Sequence, residues 1–106
     1  MQEQITQPCF AIEDIKTLQL LTPEQLMIID VRNPDEYAVM HIPGAFNIPL
    51  NELESRSNEL LKAACIVTVC GKGGGRSEQA AALLKQIGFN KANYLCGGTF
   101  GWYSVS

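Results

Sequence analysis

The chain has 106 residues, of which 46% are hydrophobic and 18% are charged, and its formal net charge is −3. This length suits one domain over residues 1–106, with one hydrophobic core. The weak acidic balance argues against nucleic acids and anionic membranes as partners, because both are bound through clustered lysines and arginines. No apolar run is as long as a membrane helix, and residues 1–7 do not have the pattern of a secretory signal, so we expect a cytoplasmic protein.

The first half of the chain alternates short apolar runs with helical patterns. Residues 9–10 are predicted to form a brief first strand. Apolar side chains recur at helical spacing in residues 12–21, which predicts an amphipathic helix. The apolar run at 26–31, which ends in polar residues, predicts a strand covered on both faces. A short helix is predicted at 34–39, where a proline stands in the first turn, and a short strand at 45–48.

The second half continues the same alternation. Residues 51–62 begin with an asparagine that a glutamate follows three positions later, which resembles a capping box and predicts a helix. Residues 65–70 are rich in β-branched side chains and predict a second buried strand. A helix is predicted at 77–87, ended by a glycine, and a last strand at 92–95. Alternating β and α units indicate an α/β domain with a parallel sheet and helices on both faces, in which ligands bind at the carboxyl ends of strands.

The segment between Cys70 and Arg76 joins a predicted strand to a predicted helix and carries the chemistry. The residues between them are Gly71, Lys72, Gly73, Gly74 and Gly75. Glycines allow several backbone N–H groups to turn inward as an anion-binding nest, and the helix N-terminus adds partial positive charge. Arg76 adds a fork suited to planar oxyanions. These effects favour a thiolate at Cys70 and predict that Cys70 and Arg76 are catalytic, with the five residues between them binding an anionic substrate.

The remaining cysteines and the single histidine give no metal site. There is no Cys-x-x-Cys pair, and His41 is distant from the cysteines in sequence, so no zinc site is expected. Cys9 and Cys65 are predicted to be inert. His41 precedes a turn, which favours a structural hydrogen bond over catalysis.

Two charged residues lie at the end of the predicted strand at 26–31, one inside it and one directly after it, at the edge where the ligand is expected. Asp30 and Arg32 could contact substrate, but such residues more often tie loops together. We therefore expect a structural role, with Arg32 paired to Glu36.

The sequence resembles the rhodanese family through motifs that follow one another in the family's order. They are IDVRNPDEY at 29–37, HIPGA at 41–45, NIPL at 47–50, CGKGGGRS at 70–77, LCGG at 95–98 and the tryptophan at 102. The resemblance implies a rhodanese-like domain with a five-stranded parallel sheet and helices on both faces. It also implies a ping-pong sulfurtransferase: Cys70 takes the outer sulfur of a donor such as thiosulfate, becomes a persulfide, and passes the sulfur to cyanide, a small thiol or a protein. No metal or organic cofactor is implied.

The spacing in the loop departs from the usual sulfurtransferase of this family. Five residues separate Cys70 from Arg76, where four are usual, and five is the spacing of the related dual-specificity cell-cycle phosphatases and arsenate reductases. Val69 stands where those phosphatases commonly carry histidine, and the loop has no acid to protonate a leaving group. Sulfur transfer is therefore favoured. The alternatives are a phosphatase or arsenate reductase, a protein persulfide carrier, and a non-catalytic binding module, although such modules typically lack the cysteine.

Cys96 is a second departure, because relatives often have an acidic or small residue there. The resemblance places its strand beside the strand of Cys70. Cys96 is thus a candidate second thiol that could resolve or accept sulfur from Cys70, although a small buried apolar role is favoured.

Overall fold

The structure is a computed structural model that describes residues 9–62 and 64–104. The segment on which the expectation of no secretory signal depends lies outside the described residues. The helices and strands follow one another in the order α1 Ile12–Leu21, β1 Leu26–Asp30, α2 Pro34–Val39, β2 Phe46–Asn47, β3 Cys65–Val69, α3 Arg76–Gln86, β4 Ala92–Tyr94 and α4 Gly98–Ser104. Among these, no helix is both long and apolar enough to cross a bilayer.

The described strands form one parallel sheet in the order β2-β1-β3-β4. The sheet has four strands, so the prediction of five is wrong. The predicted first strand is reduced to a single parallel bridge between Phe10 and Leu95, at the open edge of β4. Two hydrogen bonds hold it, from Phe10 N–H to Tyr94 O at 2.8 Å and from Cys96 N–H to Phe10 O at 2.9 Å. Because α1 begins at Ile12, the chain turns away before a longer ladder can form.

The hydrophobic core is divided by the sheet into two clusters. Successive residues of β1 alternate between them, since side chains in a strand point to opposite faces. Ile29 packs in the cluster that contains Leu84 of α3, whereas Ile28 packs in the cluster that contains Ile15 of α1 and Trp102 of α4. Helices therefore cover both faces of the sheet, as the alternation of elements predicts.

Two segments differ from the sequence-based prediction of helices. Residues 51–62 form the short 3₁₀ turns Leu50–Glu52 and Ser57–Glu59 instead of a continuous helix. Hydroxyl groups of Ser55 and Ser57 donate to the carbonyls of the third residue before each, at 3.0 and 2.9 Å, which favours local turns over a helix. The second difference is α4, which the pattern did not predict because Gly98 and Gly101 disfavour helices.

Candidate active site

The loop from Cys70 to Arg76 lies at the carboxyl end of β3. Cys70 follows the last residue of β3 directly, and α3 begins at Arg76, one residue earlier than predicted. The side chain of Thr68 anchors the two elements to each other, because its hydroxyl donates to the carbonyl of Ser77 at 2.7 Å. Strand and helix therefore fix both ends of the loop.

Glycine is required where the loop touches the chain before α4. Gly73 has a φ of +84°, and a Cβ there would lie 2.7 Å from the backbone N of Gly97. Gly98 has a φ of +63°, and a Cβ there would lie 2.5 Å from the carbonyl oxygen of Cys70. Side chains would both clash and adopt a strained conformation. The two glycine segments thus pack backbone against backbone.

The first turn of α4 supports the loop through two further hydrogen bonds. Thr99 N–H donates to Cys70 O and Phe100 N–H donates to Gly71 O, each at 2.9 Å. The ring of Phe100 also lies beside Gly71, 3.1 Å from where a Cβ would stand, and is about half exposed. Phe100 therefore forms part of the rim of the site.

The sulfur of Cys70 is buried and contacts a carbonyl and a hydroxyl. Its Sγ lies 2.9 Å from Gly74 O and 3.2 Å from Ser77 Oγ, and the residue is 6% exposed. Within residues 9–62 and 64–104, no backbone N–H donates to this sulfur, so the predicted nest of amides is not formed around it. Instead, the carbonyl of Gly74 turns toward the sulfur.

Ser77 is a site residue that the sequence-based prediction missed. It is fully buried, and its hydroxyl donates to Gly74 O at 3.0 Å while lying within reach of the Cys70 sulfur. A hydroxyl can rotate, so it can accept from a thiol or donate to a thiolate. The arrangement can therefore hold both protonation states of Cys70.

Arg76 forms an ion pair with the carboxylate of Glu36, so its guanidinium is not free to bind an anion. Its Nη1 and Nη2 donate to Oε1 and Oε2 of Glu36, at 2.9 and 3.2 Å. These hydrogen bonds, followed by one from the backbone N–H of Asn33, lower the pKa of Glu36 to about 2. The Asn33-to-Glu36 spacing is that of a capping box at α2, a signal available in the sequence, but nothing local indicated the pairing with Arg76.

Comparison with known proteins decides the family. The sequence matches the rhodanese-like domain family over residues 14–105. The chain belongs to that family. This rhodanese-like domain is 34% identical over 84 residues to a sulfurtransferase of Allochromatium vinosum, covering 79% of the chain and 78% of the relative. It is 44% identical over 79 residues to YrkF of Bacillus subtilis, a candidate sulfur carrier; that match covers 74% of the chain but 42% of YrkF.

Solved structures give the same fold. The human single domain sulfurtransferase TSTD1 superposes with a TM-score of 0.77 at 27% identity, and the match covers 95% of this chain and 99% of that one. The rhodanese-like domain thus falls among proteins named as sulfurtransferases or sulfur carriers. The likeness extends over nearly its whole length.

The other cysteines of the rhodanese-like domain do not join Cys70. Cys96 forms a disulfide with Cys9, with 5.2 Å between their Cα atoms, so the candidate second thiol is not free and does not pair with Cys70. The prediction that Cys9 is inert missed this pairing, because 87 residues separate the partners. Burial raises the pKa of the Cys65 thiol, and Lys91 offsets part of that effect. Cys65 is thus a poor nucleophile, in agreement with the prediction of an inert residue.

Asp30 and Arg32 form a buried ion pair, which agrees with the predicted structural role. Arg32 Nε donates to Asp30 Oδ1 at 2.9 Å and Nη2 donates to Oδ2 at 2.7 Å. Nη2 also donates to Met40 O, which ties the end of α2 to β1. The predicted pairing of Arg32 with Glu36 is wrong, because Asp30 already occupies the guanidinium.

The remaining candidates are His41, which precedes a turn, and Lys72, which is on the loop. His41 Nδ1 is 2.8 Å from Tyr37 O and its ring stacks on that of Tyr37, so its role is structural as predicted. Lys72 is exposed on the loop. In the described part of the chain, no three His, Cys, Asp or Glu side chains are grouped so that they could hold a metal ion.

Proposed function

We propose that this rhodanese-like domain is a sulfurtransferase that carries a sulfane sulfur as a persulfide on Cys70. The observation that supports it is the position of the Cys70 sulfur: at the carboxyl end of a parallel strand, in a glycine loop, and 3.2 Å from the buried hydroxyl of Ser77. The relationship to proteins named as sulfurtransferases supports the same chemistry.

In the first half-reaction, the deprotonated Cys70 sulfur attacks the outer sulfur of a donor such as thiosulfate. The S–S bond of the donor breaks, sulfite leaves with the electron pair of that bond, and Cys70 becomes a persulfide. In the second half-reaction, a thiolate or cyanide attacks the outer sulfur and the Cys70 thiolate leaves. The rotatable hydroxyl of Ser77 donates to that thiolate both as nucleophile and as leaving group.

The residues around the sulfur have distinct roles in this proposal. Gly73, Gly74 and Gly75 all have positive φ and give the loop a path that bulkier residues could not take. Lys72 attracts anionic donors from its exposed position, whereas the charge of Arg76 is balanced by Glu36. The donor and acceptor are a small sulfur-containing anion and a thiol of a small molecule or a protein.

A persulfide carrier is the second candidate, favoured by the 44% identity to YrkF. A carrier would exchange sulfur with a partner protein and turn over thiosulfate slowly. We propose a cytoplasmic location for either. A reducing compartment would then open the Cys9–Cys96 disulfide.

Parallel turnover assays test the proposal. Thiocyanate formation from thiosulfate and cyanide should be catalysed by the wild type and by Cys65→Ser, and lost in Cys70→Ser. Hydrolysis of an aryl phosphate by the same samples should be negligible. Phosphate hydrolysis that depends on Cys70, without thiocyanate formation, would replace sulfur transfer with phosphatase chemistry. Persulfide loading with little turnover would favour the carrier.

A further inference from the structure

The mouth of the site carries as many carboxylates as cations. Arg76 is paired with Glu36, and the exposed Lys72 is on the same loop. The carboxylate of Glu78, in the first turn of α3, lies 3.9 Å from where a Cβ of Gly74 would stand. A site built to hold a doubly charged anion would be expected to have excess positive charge, because each uncompensated cation strengthens the attraction.

We propose that Glu36 determines donor specificity by disfavouring doubly charged sulfur donors relative to singly charged ones, an inference that rests on the proposed function. The two terminal nitrogens of Arg76 each donate to a different oxygen of Glu36. The fork that would bind an oxyanion in two places is therefore occupied. A donor must either displace the carboxylate or approach a pair whose net charge is zero.

Glu36 is held beside Arg76 by a second donor, in a pair whose side chains are 41% and 40% exposed. Its Oε1 also accepts the backbone N–H of Asn33 at 3.0 Å, at the start of α2. The carboxylate stays ionised throughout the neutral range, because its pKa is about 2. Protonation therefore does not free Arg76 under assay conditions.

The neighbouring groups do not supply a replacement cation. Arg32 is bound by Asp30, and both side chains are almost fully buried. The group that faces the Cys70 sulfur directly is the carbonyl oxygen of Gly74, at 2.9 Å, which carries partial negative charge. The electrostatic free energy of approaching these groups is less favourable for a donor with two negative charges than for a donor with one. Its approach depends on Lys72 as the unpaired cation of the loop.

Two donors with the same reacting sulfur separate charge from chemistry. Thiosulfate carries two negative charges and releases sulfite, whereas the methanethiosulfonate anion carries one and releases methanesulfinate. Each transfers its outer sulfur atom to the Cys70 thiolate, and in each case the electron pair of the broken S–S bond departs with the leaving group. Cyanide serves as the common acceptor. In ping-pong kinetics, kcat/KM for the donor reports the first half-reaction.

The ratio of kcat/KM for thiosulfate to kcat/KM for methanethiosulfonate is measured for the wild type, Glu36→Gln and Glu59→Gln. Gln at 36 retains an acceptor for the Asn33 N–H and so retains the start of α2. We expect Glu36→Gln to raise the ratio roughly tenfold, the size of effect that one charge exerts at a partly exposed site. Glu59 is a matched control, since it pairs with Arg56 outside the loop, and its variant should leave the ratio unchanged within about twofold.

Either of two results would overturn the role of Glu36. One is an unchanged ratio in Glu36→Gln. The other is an equal loss for both donors, which would make Glu36 a positioning residue for Arg76. Failure of the proposed function is distinguishable, because the wild type would then show no mass gain at Cys70 with either donor.

Discussion

Replacing Ser77 with Ala removes the hydroxyl that lies 3.2 Å from the Cys70 sulfur. A hydrogen bond to a charged group contributes about 1.5–3 kcal/mol. To donate to a thiolate, however, the hydroxyl must give up its bond to Gly74 O, which costs about 1 kcal/mol. The net stabilisation of the thiolate is roughly 0.5–2 kcal/mol, so alkylation of Cys70 at neutral pH should slow roughly two- to thirtyfold in Ser77→Ala.

The assay is the second-order rate of Cys70 alkylation by iodoacetamide, followed by intact mass. The rates of variant and wild type should converge at high pH, where a thiol is ionised with or without the hydroxyl. Ser55→Ala is the matched control, because its hydroxyl also donates to a carbonyl, Glu52 O at 3.0 Å, but outside the loop. Thermal unfolding of each variant confirms that it is folded.

Equal alkylation of Ser77→Ala and wild type at neutral pH would refute the role of the hydroxyl. An equal slowing at neutral and high pH would also contradict it, since such a change reports access to the sulfur and not its ionisation. The expected signature is a difference confined to the pH range in which the thiol is partly protonated.

The loop glycines, the disulfide and the Glu36–Arg76 pair each have a measurable effect on stability. In urea unfolding, Gly73→Ala should destabilise the fold by at least about 1 kcal/mol more than Gly75→Ala. The reason is that a Cβ at 73 would meet backbone atoms, whereas a Cβ at 75 would meet no atom within 4 Å. Equal losses of unfolding free energy in the two variants would contradict this. Reduction of the Cys9–Cys96 disulfide should lower the unfolding free energy by up to about 4.5 kcal/mol, since the bond closes a long loop, and an unchanged Tm in dithiothreitol would count against the pairing. The pKa of Glu36 in the folded protein is about 2, below its ordinary value, so its pair with Arg76 stabilises the fold at pH values above that ordinary value. As the pH falls from there toward 2, the wild type should lose stability relative to Glu36→Gln. Parallel losses of stability in the two proteins would argue against the pair.

The elements that the sequence predicts well are those whose pattern is local. Mainly apolar residues at 26–30 and 65–69 form β1 and β3 because both faces of the sheet are covered. A proline at position 34 marks the start of α2, and that helix has the predicted bounds. The placement of Cys70 at the end of β3 follows from the same run. These features depend on residues that are neighbours in sequence, so composition and spacing are enough to predict them.

The features that the sequence did not predict depend on distant partners or on competition between local bonds. Glu36 and Arg76 are 40 residues apart, and no periodicity links them. The pairing of Cys9 with Cys96 spans nearly the whole chain. At 51–62 the capping pattern favoured a helix, but serine hydroxyls bind nearby carbonyls and turns form instead. The carbonyl of Gly74 points toward the Cys70 sulfur because of the backbone conformation of the glycine loop. Glycines permit many backbone conformations, so the sequence does not predict this one.

The central claim is that Cys70 accepts a sulfur atom. Its most direct test is intact mass spectrometry after incubation with thiosulfate and with methanethiosulfonate, without reductant, on the wild type, Cys65→Ser and Cys70→Ser. We expect the wild type and Cys65→Ser to gain the mass of one sulfur atom with at least one donor, and Cys70→Ser to gain none. No gain with either donor, or a gain that persists in Cys70→Ser, would contradict the assignment of Cys70 as the sulfur acceptor.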